Sequence, residues 1–158
     1  MRILVDADSC GKVRTIARIG KELKVPIILY HDDSHEIESC DDYESKVIPH
    51  GKDAVDFAIL KDCKKNDVVI TQDTGLASLV LAMNAFCIHP KGFCFTNQNI
   101  MSLLTTRYLN TQYKKSKRYN SKGMTSCYKG KKFDFEESLC DTVREARQQE
   151  SRKKIQYA

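Results

Sequence analysis

Two aspartates end an apolar run near the N-terminus. In the segment LVDADSC at residues 4–10, Asp6 and Asp8 follow the run ILV and are separated by a single alanine. Carboxylates at the end of a buried strand either hold a cation or do backbone work, such as capping the next helix. The segment marks a candidate site, and its chemistry depends on which other groups the fold brings beside it.

Three further aspartates have positions that suit the same site. Asp73 follows the strand-like segment DVVIT at 67–71. Asp53 and Asp56 lie at i and i+3 near the start of a predicted helix, so they share a face. Carboxylates gathered in one cleft repel each other unless a cation lies among them, and oxygen ligands of this kind suit Mg²⁺ or Mn²⁺. Two such ions about 4 Å apart activate a water and stabilise a leaving oxygen on phosphorus.

Each of these aspartates also has a structural interpretation. Asp8 and Asp73 are both placed to cap a following helix. Asp53 and Asp56 suit the positive end of a helix dipole. Asp6 is the strongest single candidate for a metal ligand, because it directly follows a buried run.

Strands and helices alternate along most of the chain. We predict strands at 2–5, 26–30, 46–49, 67–71 and 85–89, and helices at 11–24, 52–64, 74–84, 97–113 and 134–150. Unbroken apolar strands are typical of a parallel sheet that is covered on both faces. In such α/β folds, ligands bind beyond the carboxyl ends of the strands. Asp6 and Asp73 are therefore expected at the same edge of a mostly parallel sheet.

The bulk properties indicate one cytoplasmic domain. A chain of 158 residues suits a single compact core, and no apolar run approaches the length of a membrane span. The sequence begins with a strand-like segment, from which we predict no signal peptide. Its seven cysteines are scattered and contain no CxxC pair, which favours free thiols in a reducing compartment and argues against a zinc site.

Basic residues are concentrated in one part of the chain. The net charge is +5, yet residues 105–132 contain nine basic side chains and no acidic one, with four tyrosines among them. Lysine and arginine neutralise phosphates, and tyrosine stacks on bases. We interpret this basic stripe as a nucleic-acid contact, and binding through it should weaken as salt is added. The alternative is a solvated tail.

Four motifs, taken together, resemble the bacterial YaiI/YqxD family, which is grouped with PIN-like domains. They are VDADSC, GKDAVDF, DVVITQD, and HPKG followed by a helix containing Arg107. The resemblance implies a three-layer α/β/α sandwich and a Mg²⁺- or Mn²⁺-dependent ribonuclease with acidic residues at the carboxyl edge of the sheet. By position in the motifs, Asp6 is the ligand of the first strand, and Asp73 is the ligand after the fourth. Asp53 and Asp56 are candidates for the helix-borne ligand, and Asp8 belongs to the family motif.

The expected function is metal-dependent hydrolysis of RNA. We expect Asp6, Asp56 and Asp73 to be catalytic, with the metal held by Asp6, Asp8, Asp53, Asp56 and Asp73. The candidate nucleic-acid contacts are Lys91, Arg107, Lys114, Lys115, Lys117, Arg118 and Lys122. The predicted organisation is a PIN-like domain at 1–113, a basic loop or arm at 114–132, and a C-terminal helix with a polar tail at 133–158 that packs on the same domain.

Two alternatives remain open. One is a nucleic-acid-binding module that keeps the scaffold and the basic stripe but has no catalytic activity. The other is a phosphatase, because LVDADSC also resembles the DxDx(T/V) start of haloacid-dehalogenase-type enzymes, in which Asp6 would be the nucleophile. Against the phosphatase, Asp8 is followed by Ser9 and Cys10 rather than the usual residues, and no paired late aspartates follow a strand.

Overall fold

The protein folds around a six-stranded sheet. The computed structural model describes residues 1–34, 37, 40–115 and 130–156. In chain order the elements are β1 (Ile3–Asp6), α1 (Val13–Leu23), β2 (Ile27–Asp32), β3 (Glu44–Ile48), α2 (Ala54–Asp62), β4 (Val68–Ile70), α3 (Thr74–Ala82), β5 (Phe86–Ile88), β6 (Cys94–Phe95), α4 (Ile100–Lys115) and α5 (Phe135–Gln156). The strand order is β3-β2-β1-β4-β5-β6, and all neighbouring pairs are parallel except β5 and β6.

Helices cover both faces of the sheet, which confirms the expected three-layer α/β arrangement. Successive side chains of a strand point to opposite faces. In β1, Ile3 and Val5 pack into the core shared with α1 and α5, whereas Leu4 packs into the core shared with α2, α3 and α4. All three side chains are fully buried. This two-sided burial explains why the strand reads as an unbroken apolar run.

The sheet has a switch point between β1 and β4. From β1 the chain extends the sheet in one direction through β2 and β3, and then returns to add β4, β5 and β6 on the other side. The loops that leave β1 and β4 turn towards opposite faces, and a crevice opens between them. Asp6 is the last residue of β1, and Thr71 directly follows β4, so both lie at this crevice.

The C-terminal helix α5 contributes apolar side chains to the core. Phe135, Leu139, Val143 and Ala146 repeat at helical spacing and are buried against α1 and the sheet. Full burial of each large aliphatic side chain contributes about 1.5–3 kcal/mol. Among the residues described, no helix is both long and apolar enough to cross a membrane.

Several predicted boundaries need correction. Strand β6 was not predicted, because two residues are too few to show a periodic pattern. It forms because a turn ending at Gly92 reverses the chain. Glycine is required there, because the φ of Gly92 is +98° and a Cβ at this position would lie only 2.9 Å from the backbone nitrogen of Phe135. The predicted loop at 114–132 is wrong at its start, because α4 continues through Lys115. Residues 116–129 of that loop lie outside the described residues.

Candidate metal centre

A cleft of about 420 Å³ opens at the carboxyl ends of β1 and β4. It brings together four of the five aspartates predicted as metal ligands, with one arginine and three uncharged polar residues. The lining residues are Asp6, Asp8, Ser9, Asp56, Gln72, Asp73, Thr74 and Arg107. The juxtaposition follows from the topology, because β1 and β4 are adjacent and parallel, with Val5 paired to Ile70.

The Asp6 carboxylate is held through one of its two oxygens. Its Oδ2 accepts hydrogen bonds from Ser9 Oγ at 2.7 Å and from Thr71 Oγ1 at 2.8 Å. Thr71 is fully buried, and its hydroxyl also accepts from the backbone N–H of Asp73 at 3.0 Å. One hydroxyl therefore joins the loops that follow β1 and β4. Oδ1 of Asp6 receives no hydrogen bond from the described residues, which leaves it available to a ligand.

Asp73 caps a helix and also forms an ion pair. Its Oδ1 accepts from the backbone N–H of Leu76 at 3.0 Å, which satisfies one of the free donors at the start of α3. Arg107 Nη1 donates to the same oxygen at 3.0 Å, and Nη2 lies 3.5 Å from Oδ2. Burial alone would raise the pKa of Asp73, but the Leu76 hydrogen bond and the guanidinium outweigh it, so the pKa is lowered.

Asp56 differs from its neighbours because nothing in the described part of the chain donates to it. It lies in the first turn of α2, half-buried, with no hydrogen bond or salt bridge to a described residue. Burial raises the pKa of Asp56 to about 6, and repulsion by Asp73, Asp6 and Asp53 adds to the rise. The positive charge of Arg107 opposes it only in part. This carboxylate is therefore costly to ionise without a cation.

Asp8 lines the cleft and Asp53 does not. The interpretation of Asp8 as a helix cap is wrong, because Lys12 is at the N-cap of α1; Asp8 Oδ2 accepts instead from the backbone N–H of Asp32 at 3.0 Å. Asp53 is at the N-cap of α2 with a left-handed φ of 58° and no side-chain capping bond. Its side chain is exposed and does not line the cleft, so it reaches the site only through its charge on Asp56.

The predicted basic contacts are dispersed. Arg107 lines the cleft, and Lys114 lies seven residues later on α4, on nearly the same face and about 10 Å along the axis. Lys115 is exposed at the end of the same helix, and Lys91 is exposed in the turn between β5 and β6, outside the cleft lining. The other predicted contacts, Lys117, Arg118 and Lys122, lie outside the described residues.

The sequence from β1 into α5 matches a known family. Residues 4–145 match the profile of a family described as "Uncharacterized BCR, YaiI/YqxD family". The chain belongs to the YaiI/YqxD family. This membership confirms the resemblance carried by the sequence motifs, and the matched range contains every residue that lines the cleft.

Relatives of this YaiI/YqxD family member cover most of its length. It is similar to a UPF0178 protein of Lachnoclostridium phytofermentans, with 39% identity over 148 residues, which is 91% of this chain and 97% of the relative. It is also similar to UPF0178 proteins of Natranaerobius thermophilus, with 43% identity over 71% of this chain and 76% of the relative, and of Clostridium acetobutylicum, with 40% over 77% and 80%.

Sequence reasoning missed the uncharged groups of this YaiI/YqxD site. Ser9 and Thr71 hold Asp6, and the side-chain amide of Gln72 donates to the backbone carbonyl of Ser9, which ties the two loops together again. A signal was present, because Ser9 lies three residues after Asp6 and Thr71 lies two before Asp73. Short polar side chains beside a predicted ligand are well placed to orient it.

The donor set in the cleft fits a hard divalent cation. The residues that line it offer carboxylate oxygens and no histidine or cysteine, which suits Mg²⁺ or Mn²⁺ better than softer metals. The fit rests on the free Oδ1 of Asp6 and on Asp56, whose charge has no partner in contact among the described residues. A separate group outside the cleft lining, the half-buried Asp32 with the exposed Asp33 and His50, places one ligand atom from each residue within 4.8 Å of the others.

Proposed function

We propose that this protein is a divalent-metal-dependent nuclease that hydrolyses RNA. One observation supports the proposal most directly: Asp56 is half-buried beside Asp6 and Asp73, without a hydrogen bond or salt bridge to a described residue, and its pKa is raised to about 6. A charge arrangement of this kind is expected where a cation completes the site. The cleft also lies where α/β folds bind ligands, beyond the carboxyl ends of adjacent parallel strands.

The residues of the cleft would have different roles in the proposed reaction. Asp6, Asp56 and Asp73 would hold the cation, which, when bound, supplies an activated water and stabilises the leaving oxygen on phosphorus. Ser9 and Thr71 would fix the orientation of Asp6 so that its free oxygen points consistently to the same place. Arg107 would supply positive charge to a phosphate. Asp53 is not included among the proposed ligands, because it does not line the cleft.

RNA is the proposed substrate because of the charge on and beyond α4. Arg107 at the cleft and Lys114 two turns later lie on nearly the same face, so a phosphate backbone could follow the helix. The remainder of the basic stripe, with its tyrosines, would extend that path. We propose a cytoplasmic location, in keeping with free thiols at the six described cysteines.

The test compares cleavage of single-stranded and structured RNA by four proteins, with Mn²⁺, with Mg²⁺ and with EDTA. Wild type is compared with Asp6→Asn and Asp73→Asn, and with Asp141→Asn as the matched control, because Asp141 is an exposed aspartate that pairs with an arginine on α5. We expect metal-dependent cleavage by wild type and by the control, and loss of cleavage in the other two. Cleavage that survives EDTA, or that Asp6→Asn leaves unchanged, would refute the proposal.

A binding module without catalysis is the second candidate. It is favoured by the Asp73 carboxylate, which already caps α3 and pairs with Arg107, so its charge is compensated without a metal. If this candidate is correct, Asp6→Asn should bind RNA with the same affinity as wild type, and no RNA in the substrate panel should be cleaved. The phosphatase alternative expects something different again: a phosphoryl group trapped on Asp6.

A further inference from the structure

Arg107 occupies both oxygens of Asp73. Its guanidinium extends from α4 to the start of α3, with Nη1 3.0 Å from Oδ1 and Nη2 3.5 Å from Oδ2. Oδ1 also accepts the N–H of Leu76. An arginine fork on a carboxylate uses the directions from which another cation would approach. Oδ1 already accepts two donors, so a divalent cation that takes Asp73 as a ligand competes with Arg107 for this carboxylate.

The pair is accessible enough to exchange partners. The side chain of Arg107 is 54% exposed and that of Asp73 is 33% exposed. Ion pairs of this exposure are weak, because water screens them. Among the residues that line the cleft, Arg107 is the one basic residue, and the structure shows no hydrogen bond from its side chain to any other described residue. Once displaced, the guanidinium would lose the one carboxylate that it contacts among the described residues.

A glycine leaves room for this contact. A Cβ at Gly75 would lie 3.0 Å from Asp73 Oδ1 and 3.3 Å from Arg107 Nη1, which is closer than most side chains tolerate. The first turn of α3 is therefore open on the side from which the guanidinium reaches the carboxylate. The absence of a side chain at Gly75 therefore leaves the space that the Arg107–Asp73 contact occupies.

We propose that Arg107 is a positioning residue that acts as an internal counter-ion of Asp73 and exchanges partners when metal binds. Without metal, the guanidinium neutralises Asp73. When a divalent cation takes Asp73, the released guanidinium binds a phosphate of the substrate. This second half rests on the proposed nuclease function. Metal and phosphate binding are then coupled, because each removes one of the two partners that hold the Arg107–Asp73 pair together.

The first test measures Mn²⁺ binding to the full chain without nucleic acid, by electron paramagnetic resonance of the free ion. Arg107→Ala should bind Mn²⁺ more tightly than wild type, by about fivefold or more, because a competing cation is gone. Arg144→Ala is the matched control, since Arg144 is an exposed arginine that pairs with Asp141 at 2.9 Å on α5. Arg107→Lys should be intermediate, because lysine keeps the charge but cannot form the fork.

A purely structural role for Arg107 gives the opposite result. Loss of a structural contact would loosen α3 against α4 and weaken Mn²⁺ binding. Unchanged or weaker Mn²⁺ binding by Arg107→Ala overturns the proposal. If circular dichroism shows that this variant has lost the fold, Arg107→Lys takes its place, and unchanged or weaker binding by Arg107→Lys overturns the proposal.

The second test measures the affinity for a short oligouridylate, with its integrity checked on a gel. Saturating Mn²⁺ should tighten binding by wild type about fivefold or more, within the usual range of coupling between two sites. Arg107→Ala should lose this gain even when fully loaded with Mn²⁺. An equal gain in both proteins would show that the guanidinium does not move to a phosphate.

The outcomes separate this inference from the proposed function. If Arg107→Ala binds Mn²⁺ more tightly but wild type cleaves no RNA, the partner exchange at Asp73 stands and the nuclease fails. If wild type cleaves RNA in a manner that needs Asp6, but Arg107→Ala binds Mn²⁺ like wild type, the nuclease stands and the exchange fails. If neither protein binds Mn²⁺, the partner exchange at Asp73 is refuted, and the proposed nuclease function is then tested by the cleavage assay alone.

Discussion

Replacing Asp56 by asparagine should stabilise the metal-free protein. Asp56 has an ordinary pKa of 3.8 in the unfolded chain and about 6 in the folded protein, because burial and the nearby carboxylates disfavour its charge. The folded state therefore binds more protons than the unfolded state between these two values. The free energy of unfolding falls as the pH rises through this window and stays reduced above it. Asparagine cannot ionise, so Asp56→Asn avoids the loss.

The size of the gain follows from the same two values. For a fully buried group the difference between 3.8 and about 6 would correspond to about 3 kcal/mol. Asp56 is only half-buried, and screening by water reduces this to about 1 kcal/mol. For a chain of this length, about 1 kcal/mol raises the midpoint of thermal unfolding by about 2–4 °C.

Urea unfolding in EDTA, near pH 4 and near pH 7, measures this effect. Asp56→Asn should match wild type at the lower pH and exceed it at the higher one, whereas the control Asp141→Asn should show no gain at either. With Mn²⁺ the order should reverse, because a cation that binds only the folded state stabilises wild type, and the variant binds it poorly. A variant that is no more stable than wild type in EDTA near pH 7, or equally more stable at both pH values, would refute the reasoning.

Three further outcomes are expected. Thr71→Val should weaken Mn²⁺ binding and lower the free energy of unfolding by about 1–3 kcal/mol, because Asp6 loses a donor and the backbone N–H of Asp73 loses its acceptor. Thr71→Ser keeps the hydroxyl and should restore the Mn²⁺ affinity, measured by titration, and the stability, measured by urea unfolding. Asp67→Ala should lower the free energy of unfolding by about 1–3 kcal/mol in the same assay, because the Arg2 guanidinium and the backbone N–H groups of Arg2 and Lys64 lose an acceptor, and it should leave Mn²⁺ affinity unchanged. Burial and the nearby Lys91 lower the pKa of His89 from 6.5 to about 4, so the free energy of unfolding should decrease as the pH falls through this window. His89→Phe should lose less stability than wild type over the same range. Equal dependence of the free energy of unfolding on pH in the two proteins would contradict this.

The order of the elements could be predicted because the periodicity of apolar residues is a local property. The runs at β1 and β4 and the helical spacing of α1 are visible in the sequence, and the structure places these elements within two residues of the predicted bounds. The last helix begins within one residue of its predicted start but continues to Gln156, six residues beyond the predicted end. Strand β6 could not be predicted, because it exists only where a glycine turn lets two residues pair with β5. The end of α4 was also misplaced, because a basic helix and a basic loop have the same composition.

Part of the site was predictable for the same reason. Asp6 and Asp73 follow strand-like runs, and the rule that ligands bind at the carboxyl ends of parallel strands brings them together before any coordinates are known. The same rule does not place Asp53, which is exposed at the N-cap of α2 and does not line the cleft. The separate interpretation of Asp8 as a helix cap is wrong, because Lys12 is at the N-cap of α1 and Asp8 accepts from the backbone of β2.

By itself, the sequence determined that an α/β chain carries acidic residues at one edge of its sheet, since strand propensity and residue identity are written locally. Only the tertiary structure decided how those carboxylates differ. Asp6 is held by two hydroxyls, Asp73 is neutralised by an arginine from α4, and Asp56 has no such partner among the described residues. The pKa of a carboxylate depends on its burial and on charges within a few ångströms, and those neighbours come from elements far apart in the chain.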